Sequence, residues 1–289
     1  MLSTSATDEL QQKLIRQSPI GIFDSGVGGL SVLRHIRQQL PDEALCYFAD
    51  AGFAPYGDKP ESVITERTLL IAQFLIGRGV KALVVACNTA TAAAIKLLRA
   101  QFPELILIGV EPGVKPAARL SHTGCVGVLA TSSTLASSKY QALCAQVQRT
   151  TQIRFIHQAC PGLADLIERG ELNTPATMQL LETYLRPMLQ AGADTIVLGC
   201  THYPFVEETI RRIAASHLLQ QVELVDTGLA VARQLQRLLT EQHKLSQPGH
   251  QSPPLQFYTS GTPEKLTLAL QQLLNIAPTD YSAQKMFAI

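Results

Sequence analysis

Residues 82–89 read ALVVACNT, and residues 195–202 read TIVLGCTH. Each stretch is a short apolar run that ends at a cysteine and opens a polar turn, which a helical pattern follows. Runs of this length that are rich in Val, Ile and Leu are typical of buried parallel strands. The residue after such a strand lies at the carboxyl edge of the sheet, where open α/β folds bind ligands. The two stretches therefore predict an α/β fold with Cys87 and Cys200 at sheet edges.

The rest of the chain repeats this alternation of apolar runs and helical patterns, which is the signature of a parallel α/β architecture. One set of strands is predicted at 20–23, 44–49, 82–86 and 105–110, and a second set at 125–130, 153–157, 195–199 and 222–225. A polar loop is expected over 242–254, then one more strand and helix over 255–259 and 264–274. We expect two pseudo-symmetric α/β units with mainly parallel sheets, each carrying one thiol, on either side of a cleft.

Composition excludes several classes of function. A formal net charge of +1 over 289 residues gives no basic face for nucleic acid, and seven Tyr, nine Phe and no Trp are too few for a base-stacking surface. No run reaches 18 apolar residues, and the first 19 residues lack the apolar core of a signal peptide. The six cysteines include no Cys-x-x-Cys pair, which favours reduced thiols in a cytoplasmic protein.

Two thiols in matching contexts suggest one base for each face of a single substrate carbon. A thiol near the amino end of a helix ionises more readily than a free one. Asp24 ends the first predicted strand and should share the sheet edge of Cys87, where it could bind an ammonium group or cap the next helix. His202, two residues after Cys200, is a proton partner for that thiol or a loop imidazole bonded to backbone.

Polar turn residues near these groups supply hydroxyls and backbone amides that suit a carboxylate ligand. They are Ser25, Tyr56, Gly57, Asn88, Thr89, Thr131 and Thr201. Most buried cysteines are inert small hydrophobes, and this is the expectation for Cys46, Cys125 and Cys144, which lie in or beside apolar patterns. Cys160 precedes a Pro-Gly pair, so its structural role is less evident.

Two other site chemistries have weaker support. Residues 26–31, GVGGLS, resemble a dinucleotide fingerprint, and Asp50 stands where a ribose-binding acid would. However, the third glycine position is Ser31, and Asp24 would place negative charge beside a pyrophosphate. A zinc site from Cys87, Cys200 and His202 lacks a fourth ligand at a recognisable spacing.

Four motifs together resemble the glutamate racemase family: DSGVGGL at 24–30, PYG at 55–57, ACNTA at 86–90 and GCTHYP at 199–204. The resemblance runs from about residue 19 to residue 274. It implies interconversion of L- and D-glutamate without a cofactor or metal, supplying D-glutamate for peptidoglycan. By this resemblance Cys87 and Cys200 are the acid/base catalysts. The same resemblance gives assisting roles to Asp24, His202 and Glu168, and substrate binding to Asp24, Ser25, Tyr56, Gly57, Asn88, Thr89, Thr131, Thr201 and His202.

The family fold implies a discontinuous first domain, residues 20–115 and 228–289, and a second domain, residues 116–227. Residues 1–19 are an extension of a kind found in racemases of which some require the activator UDP-N-acetylmuramoyl-L-alanine. A disordered tail is at least as good an interpretation of residues 1–19. Monomer and homodimer both stay open, as do an aspartate or hydantoin racemase and a non-catalytic binding protein that uses the same cleft.

Overall fold

The structure, a computed structural model, describes residues 4–217, 222–249 and 255–286, and the fold is stated for those residues. Their ten strands form two sheets in which every neighbouring pair is parallel. The first sheet contains β1 (Ile20–Asp24), β2 (Leu45–Ala49), β3 (Ala82–Val85), β4 (Ile106–Gly109), β9 (Leu255–Thr259) and β10 (Tyr281–Lys285). The second contains β5 (Cys125–Ala130), β6 (Arg154–Ala159), β7 (Thr195–Gly199) and β8 (Glu223–Val225).

Strand order gives the two sheets a common plan. The first sheet has the order β10-β9-β2-β1-β3-β4, and the second has the order β6-β5-β7-β8. Four consecutive strands of the first sheet therefore repeat the arrangement of the second, with β3 equivalent to β7. This confirms the predicted α/β class and its pseudo-symmetric parallel sheets. The domain boundaries at 115/116 and 227/228 stay predictions.

Helices connect the strands and cover both sheets. They are α1 (Thr4–Gln17), α2 (Leu30–Gln39), α3 (Glu61–Gly77), α4 (Asn88–Gln101), α5 (Val114–Leu120), α6 (Ser132–Ala136), α7 (Ser138–Thr150), α8 (Leu163–Glu168), α9 (Pro175–Gln190), α10 (Glu207–His217), α11 (Gly228–Glu241) and α12 (Pro263–Leu274), with short 3-10 turns at Tyr203–Val206 and Pro278–Asp280. In the described parts of the chain, no helix has the length and apolarity needed to cross a bilayer.

Buried apolar side chains form cores on both faces of each sheet. In the first sheet, α2 and α11 pack over one face through residues such as Leu33 and Leu235, and α3 and α4 cover the other face. The strands consist of nearly continuous buried runs, as expected when both faces of a parallel sheet are covered. Because the strands are held on both faces, the positions of the residues at their carboxyl ends are well defined.

Two expectations for the termini need correction. Residues 4–17 form helix α1, so a disordered tail is wrong for them; the C-terminal end of α1 is held where Ser246 Oγ donates to the Arg16 carbonyl at 2.9 Å. The C-terminal part has a second strand, β10, after the predicted strand and helix. β10 is an edge strand with mostly polar, partly exposed side chains, so it carries little apolar signal. In the predicted polar loop, residues 250–254 lie outside the described residues.

Candidate active site

The two thiols lie at the ends of equivalent strands, as the sequence predicted. Cys87 follows β3 and forms the N-cap of α4, where its sulfur accepts a hydrogen bond from the Ala90 amide at 3.5 Å. Cys200 follows β7 and precedes a 3-10 turn. Both side chains are nearly buried, and both line a single cavity between the two sheets.

Most of the predicted site residues share this cavity. Its wall includes Ser25, Tyr56, Gly57, Asn88, Thr89, Thr131, Thr201 and His202. Asp24 and Glu168 are not among the lining residues and lie behind them. The wall also contains residues that the sequence analysis did not select: Pro55, Asp58, Ser132, Cys160, Pro161, Gly162, Ala164 and Asp165. Five of these eight residues lie in the stretch 160–165, where β6 leads into α8, and this stretch had no motif that separated it from an ordinary strand-to-helix connection.

A hydroxyl and a carboxylate surround the Cys87 sulfur. Its thiol lies 3.6 Å from Ser25 Oγ as a hydrogen-bond donor. Burial and, after it, the negative charge of Asp24 raise the pKa of Cys87 to about 12, although the Ala90 amide and Ser25 act in the opposite direction. Cys87 is therefore a neutral thiol at physiological pH and is suited to donate a proton.

The Cys200 sulfur faces a positive group instead. It lies 3.6 Å from Nδ1 of His202, and Nε2 of the same ring lies 2.6 Å from Oε1 of Glu168. Burial opposes a charge on the imidazole, but the hydrogen bonds to Cys200 and Glu168 raise the pKa of His202 well above its usual value. The ring is therefore an imidazolium at neutral pH, in contact with both the Cys200 sulfur and the Glu168 carboxylate.

Asp24 connects the two units from below the cavity. One carboxylate oxygen, Oδ2, accepts the Gly26 amide at 2.8 Å, and the other, Oδ1, accepts the Thr201 hydroxyl at 3.2 Å. The side chain is fully buried, and this burial raises its pKa, while the His202 charge lowers it. Asp24 is thus engaged with groups from both sheets rather than open to the cavity.

The glycine-rich loop after β1 packs against the Cys200 side. A Cβ atom at Gly26 would lie 1.9 Å from Glu168 Oε1, and one at Gly28 would lie 2.3 Å from His202 Nδ1. The Val27 amide donates to Glu168 Oε1 at 2.7 Å. Because they lack side chains, Gly26 and Gly28 allow Glu168 and His202 to lie close to the loop. The Val27 amide is already bonded to the Glu168 carboxylate. This packing gives the fingerprint a role without a dinucleotide.

Hydrogen bonds also close the opposite side of the cavity. Ser133 Oγ donates to the Gly57 carbonyl, and the hydroxyls of Thr89 and Thr131 lie 3.1 Å apart. Each pair joins a residue of the first unit to one of the second. Such pairs are missed by sequence reasoning because they depend on how the two sheets are docked.

The same geometry bears on a ribose-binding role for Asp50 and on a zinc site. Asp50 is fully buried and pairs with the Arg67 guanidinium, so it does not offer a free carboxylate to a ribose. Within the described residues, no group of three or more His, Cys, Asp or Glu side chains has an arrangement that could hold a metal ion.

The parallel α/β fold with two thiols in one cavity is that of a racemase family, as comparison with known proteins shows. The profile of the family described as Asp/Glu/Hydantoin racemase matches residues 20–235, and the chain belongs to this family. Within it, the chain is 50% identical over 260 residues to the glutamate racemase of Ectopseudomonas mendocina (strain ymp), covering 89% of this chain and 95% of that protein.

Solved structures show the same likeness. Glutamate racemase isoform RacE1 from Bacillus anthracis superimposes with a TM-score of 0.83 at 30% identity, covering 94% of this chain and 98% of that one. The Escherichia coli glutamate racemase, in complex with L-glutamate and the activator UDP-MurNAc-Ala, gives a TM-score of 0.78 at 32% identity, covering 93% and 97%.

Proposed function

We propose that this protein interconverts L- and D-glutamate by proton transfer at the α-carbon, without a cofactor. The observation that carries the proposal is the pair of thiols in one cavity, one beside an imidazolium and one held neutral beside a carboxylate. The relatives that match nearly the whole chain are glutamate racemases, which supports glutamate as the substrate.

In the proposed reaction one thiol acts as the base and the other as the acid. When Cys200, in contact with His202, acts as the base, its sulfur removes the α-proton from one enantiomer, so the C–H bond breaks and an S–H bond forms. The Cys87 thiol then delivers its proton to the opposite face of the carbanion and is left as a thiolate. The next turnover in the reverse direction, or proton exchange with water, restores the starting state.

Other site residues serve this chemistry indirectly. Glu168 holds His202 in its charged form, and Asp24 raises the proton affinity of Cys87. The amides and hydroxyls of the cavity wall bind the substrate, and the amino end of α4 suits a substrate carboxylate. Those residues are Ser25, Tyr56, Gly57, Asn88, Thr89, Thr131, Thr201 and His202. Asp24 contributes from behind the wall by orienting Thr201.

The biological setting follows the same family relationship. The D-glutamate would supply peptidoglycan synthesis in the cytoplasm. Because a relative was solved with the activator UDP-MurNAc-Ala, we include activation by that precursor in the proposal. Sedimentation analysis would distinguish a monomer from a homodimer.

The test follows the optical signal of D-glutamate and, separately, D-aspartate with reduced, EDTA-treated protein. We expect the signal to fall toward zero with glutamate alone. Loss with aspartate instead would assign the protein to the aspartate branch of the family. If neither changes, even with UDP-MurNAc-Ala present, the chain is a non-catalytic binder and the proposal is wrong.

Isotope incorporation tests the two-base step. In D2O, product formed early should carry deuterium at the α-carbon, while unreacted substrate largely does not. This follows because the abstracting and donating sulfurs are different atoms. Equal labelling of both pools from the start would indicate a single base or free exchange with solvent.

A further inference from the structure

A fully buried carboxylate outside the proton-transfer groups, Asp50, lies directly after β2. Its Oδ2 accepts the Tyr56 hydroxyl at 2.5 Å and the Arg67 Nε at 3.0 Å. Its Oδ1 accepts Arg67 Nη2 at 2.7 Å and the Ser260 hydroxyl at 2.6 Å. Four hydrogen bonds from three separate segments therefore converge on a single side chain.

The segment that this carboxylate holds forms part of the cavity wall. We call residues 50–58 the Tyr56 loop; within it Pro55, Tyr56, Gly57 and Asp58 line the cavity. The Tyr56 side chain is 1% exposed, and burial together with Asp50 raises the pKa of its hydroxyl, which therefore stays protonated and donates to the carboxylate. The position of the loop thus depends on a bond that ends on Asp50.

Two neighbours of Asp50 bind the loop a second time. The Arg67 guanidinium lies over the Phe53 ring, 3.8 Å from its centroid. Ser260, at the end of β9, accepts the Gly52 amide at 3.0 Å. The loop is therefore clamped between α3 and the C-terminal part of the first sheet, with Asp50 as the common centre.

The charges around Asp50 suit a neighbouring anionic ligand. A buried carboxylate beside the cavity would repel a dicarboxylate substrate if it stood alone. The bidentate pair with Arg67 neutralises it, and although burial opposes the charge of Arg67, the bond to Asp50 raises its pKa. The pair therefore fixes the loop without adding net charge to the cavity wall.

We propose that Asp50 is a positioning residue for substrate binding, which sets Tyr56 and Gly57 in the cavity wall through the bonds described above. This inference rests on the proposed racemase function. The described side-chain bonds of Cys87, Cys200, His202 and Glu168 do not include the Asp50 side chain. Asp50 should accordingly affect the binding of substrate more than the transfer of the proton.

The test compares Tyr56→Phe, Asp50→Asn and the double variant with the wild-type protein. The control is Asp194→Asn: Asp194 likewise accepts bonds from Ser121 Oγ at 2.6 Å and from two backbone amides, at the start of β7 and away from the cavity. KM, kcat, the thermal midpoint and the calorimetric Kd for D-glutamate are measured for each.

We expect Tyr56→Phe to raise KM about fivefold and Asp50→Asn to raise it about tenfold, with kcat within about twofold of wild type. The double variant should exceed the larger single effect only slightly, since both changes remove the same bond. Asp194→Asn should lower the thermal midpoint and leave KM unchanged. A lower midpoint with unchanged KM in Tyr56→Phe and Asp50→Asn would show that Asp50 is structural only.

The binding measurement separates this inference from the proposed function. If the wild-type protein binds D-glutamate but does not racemise it, the proposed function fails, and a Kd that rises in both Tyr56→Phe and Asp50→Asn but not in Asp194→Asn still supports Asp50 as the positioning residue. If wild type neither binds nor racemises glutamate, both are wrong. Multiplicative effects in the double variant would mean that Asp50 and Tyr56 act independently, which contradicts the inference.

Discussion

The surroundings of Cys87 and of Cys200 differ although the two thiols occupy equivalent places in sheets of the same strand order. Cys87 is buried near the Asp24 carboxylate, and its pKa is raised to about 12. Cys200 lies 3.6 Å from an imidazolium that Glu168 supports. Topology thus places two sulfurs symmetrically, whereas the groups around them differ: the Asp24 carboxylate acts on Cys87, and the His202 ring contacts Cys200.

Removing either sulfur should have the largest effect on turnover. Cys87→Ala and Cys200→Ala should each lower kcat by about a thousandfold or more, since each removes one of two groups that are both needed for inversion. Turnover is measured by circular dichroism under the conditions given above.

The control for these variants is Cys144→Ala, which removes a buried thiol that packs against the second sheet away from the cavity. It should keep near wild-type turnover. If Cys87→Ala or Cys200→Ala also did so, two sulfurs would not be required and the two-base scheme would be wrong.

A smaller change should disturb the Cys200 side alone. Gly28→Ala places a methyl group 2.3 Å from His202 Nδ1, so the ring and the loop cannot both keep their positions. We expect kcat to fall about tenfold to a hundredfold, because displacing a catalytic partner by about 1 Å has effects of this size.

Gly77→Ala is the matched substitution, since a methyl group at the last residue of α3 meets nothing within 4 Å. It should leave kcat unchanged and stabilise the fold by about 0.5–1 kcal/mol through helix propensity. A Gly28→Ala protein with wild-type kcat would show that the position of His202 does not control the reaction.

The smallest expected effect is on the way the thermal midpoint depends on pH. Because the pKa of His202 is raised in the folded protein, its charged form stabilises the fold. That contribution is fully present below the unfolded pKa of about 6.5 and is lost as the pH rises through the raised folded value. The thermal midpoints of wild type and His202→Asn should therefore differ most below about pH 6.5 and converge at higher pH.

His122→Asn, a substitution at an exposed histidine that does not line the cavity, is the control and is measured in the same way. A difference between wild type and His202→Asn that grew with rising pH would reverse the sign and contradict an imidazolium at this site.

Much of the fold could be predicted because buried parallel strands leave a clear sequence pattern. The apolar runs located β1 to β9, and the cysteines at their ends gave the position of the site. β10 was missed since its side chains are polar and half exposed. The polar, mixed-charge sequence of residues 4–17 was compatible with both helix and tail, and only the structure distinguishes them.

Local neighbours in the site were also predictable, whereas contacts between the two units were not. His202 stands two residues from Cys200, so sequence alone suggested their pairing. The bond from the Val27 amide to Glu168 and that from Ser133 to the Gly57 carbonyl depend on how the two sheets dock, and no local sequence pattern encodes this docking. The bond from Tyr56 to Asp50 was missed for another reason: the sequence analysis considered Asp50 only as a ribose-binding acid.

The position of β9 has a consequence for how the protein is made. In the finished sheet β9 pairs with β2, yet more than two hundred residues are translated between them. At about ten residues per second, β2 remains an unpaired edge on the nascent chain for roughly twenty seconds, while all four strands of the second sheet have already left the ribosome. An open edge is the element most prone to pair with another chain. Ribosomes that stall before residue 255 should therefore release products that aggregate through β2.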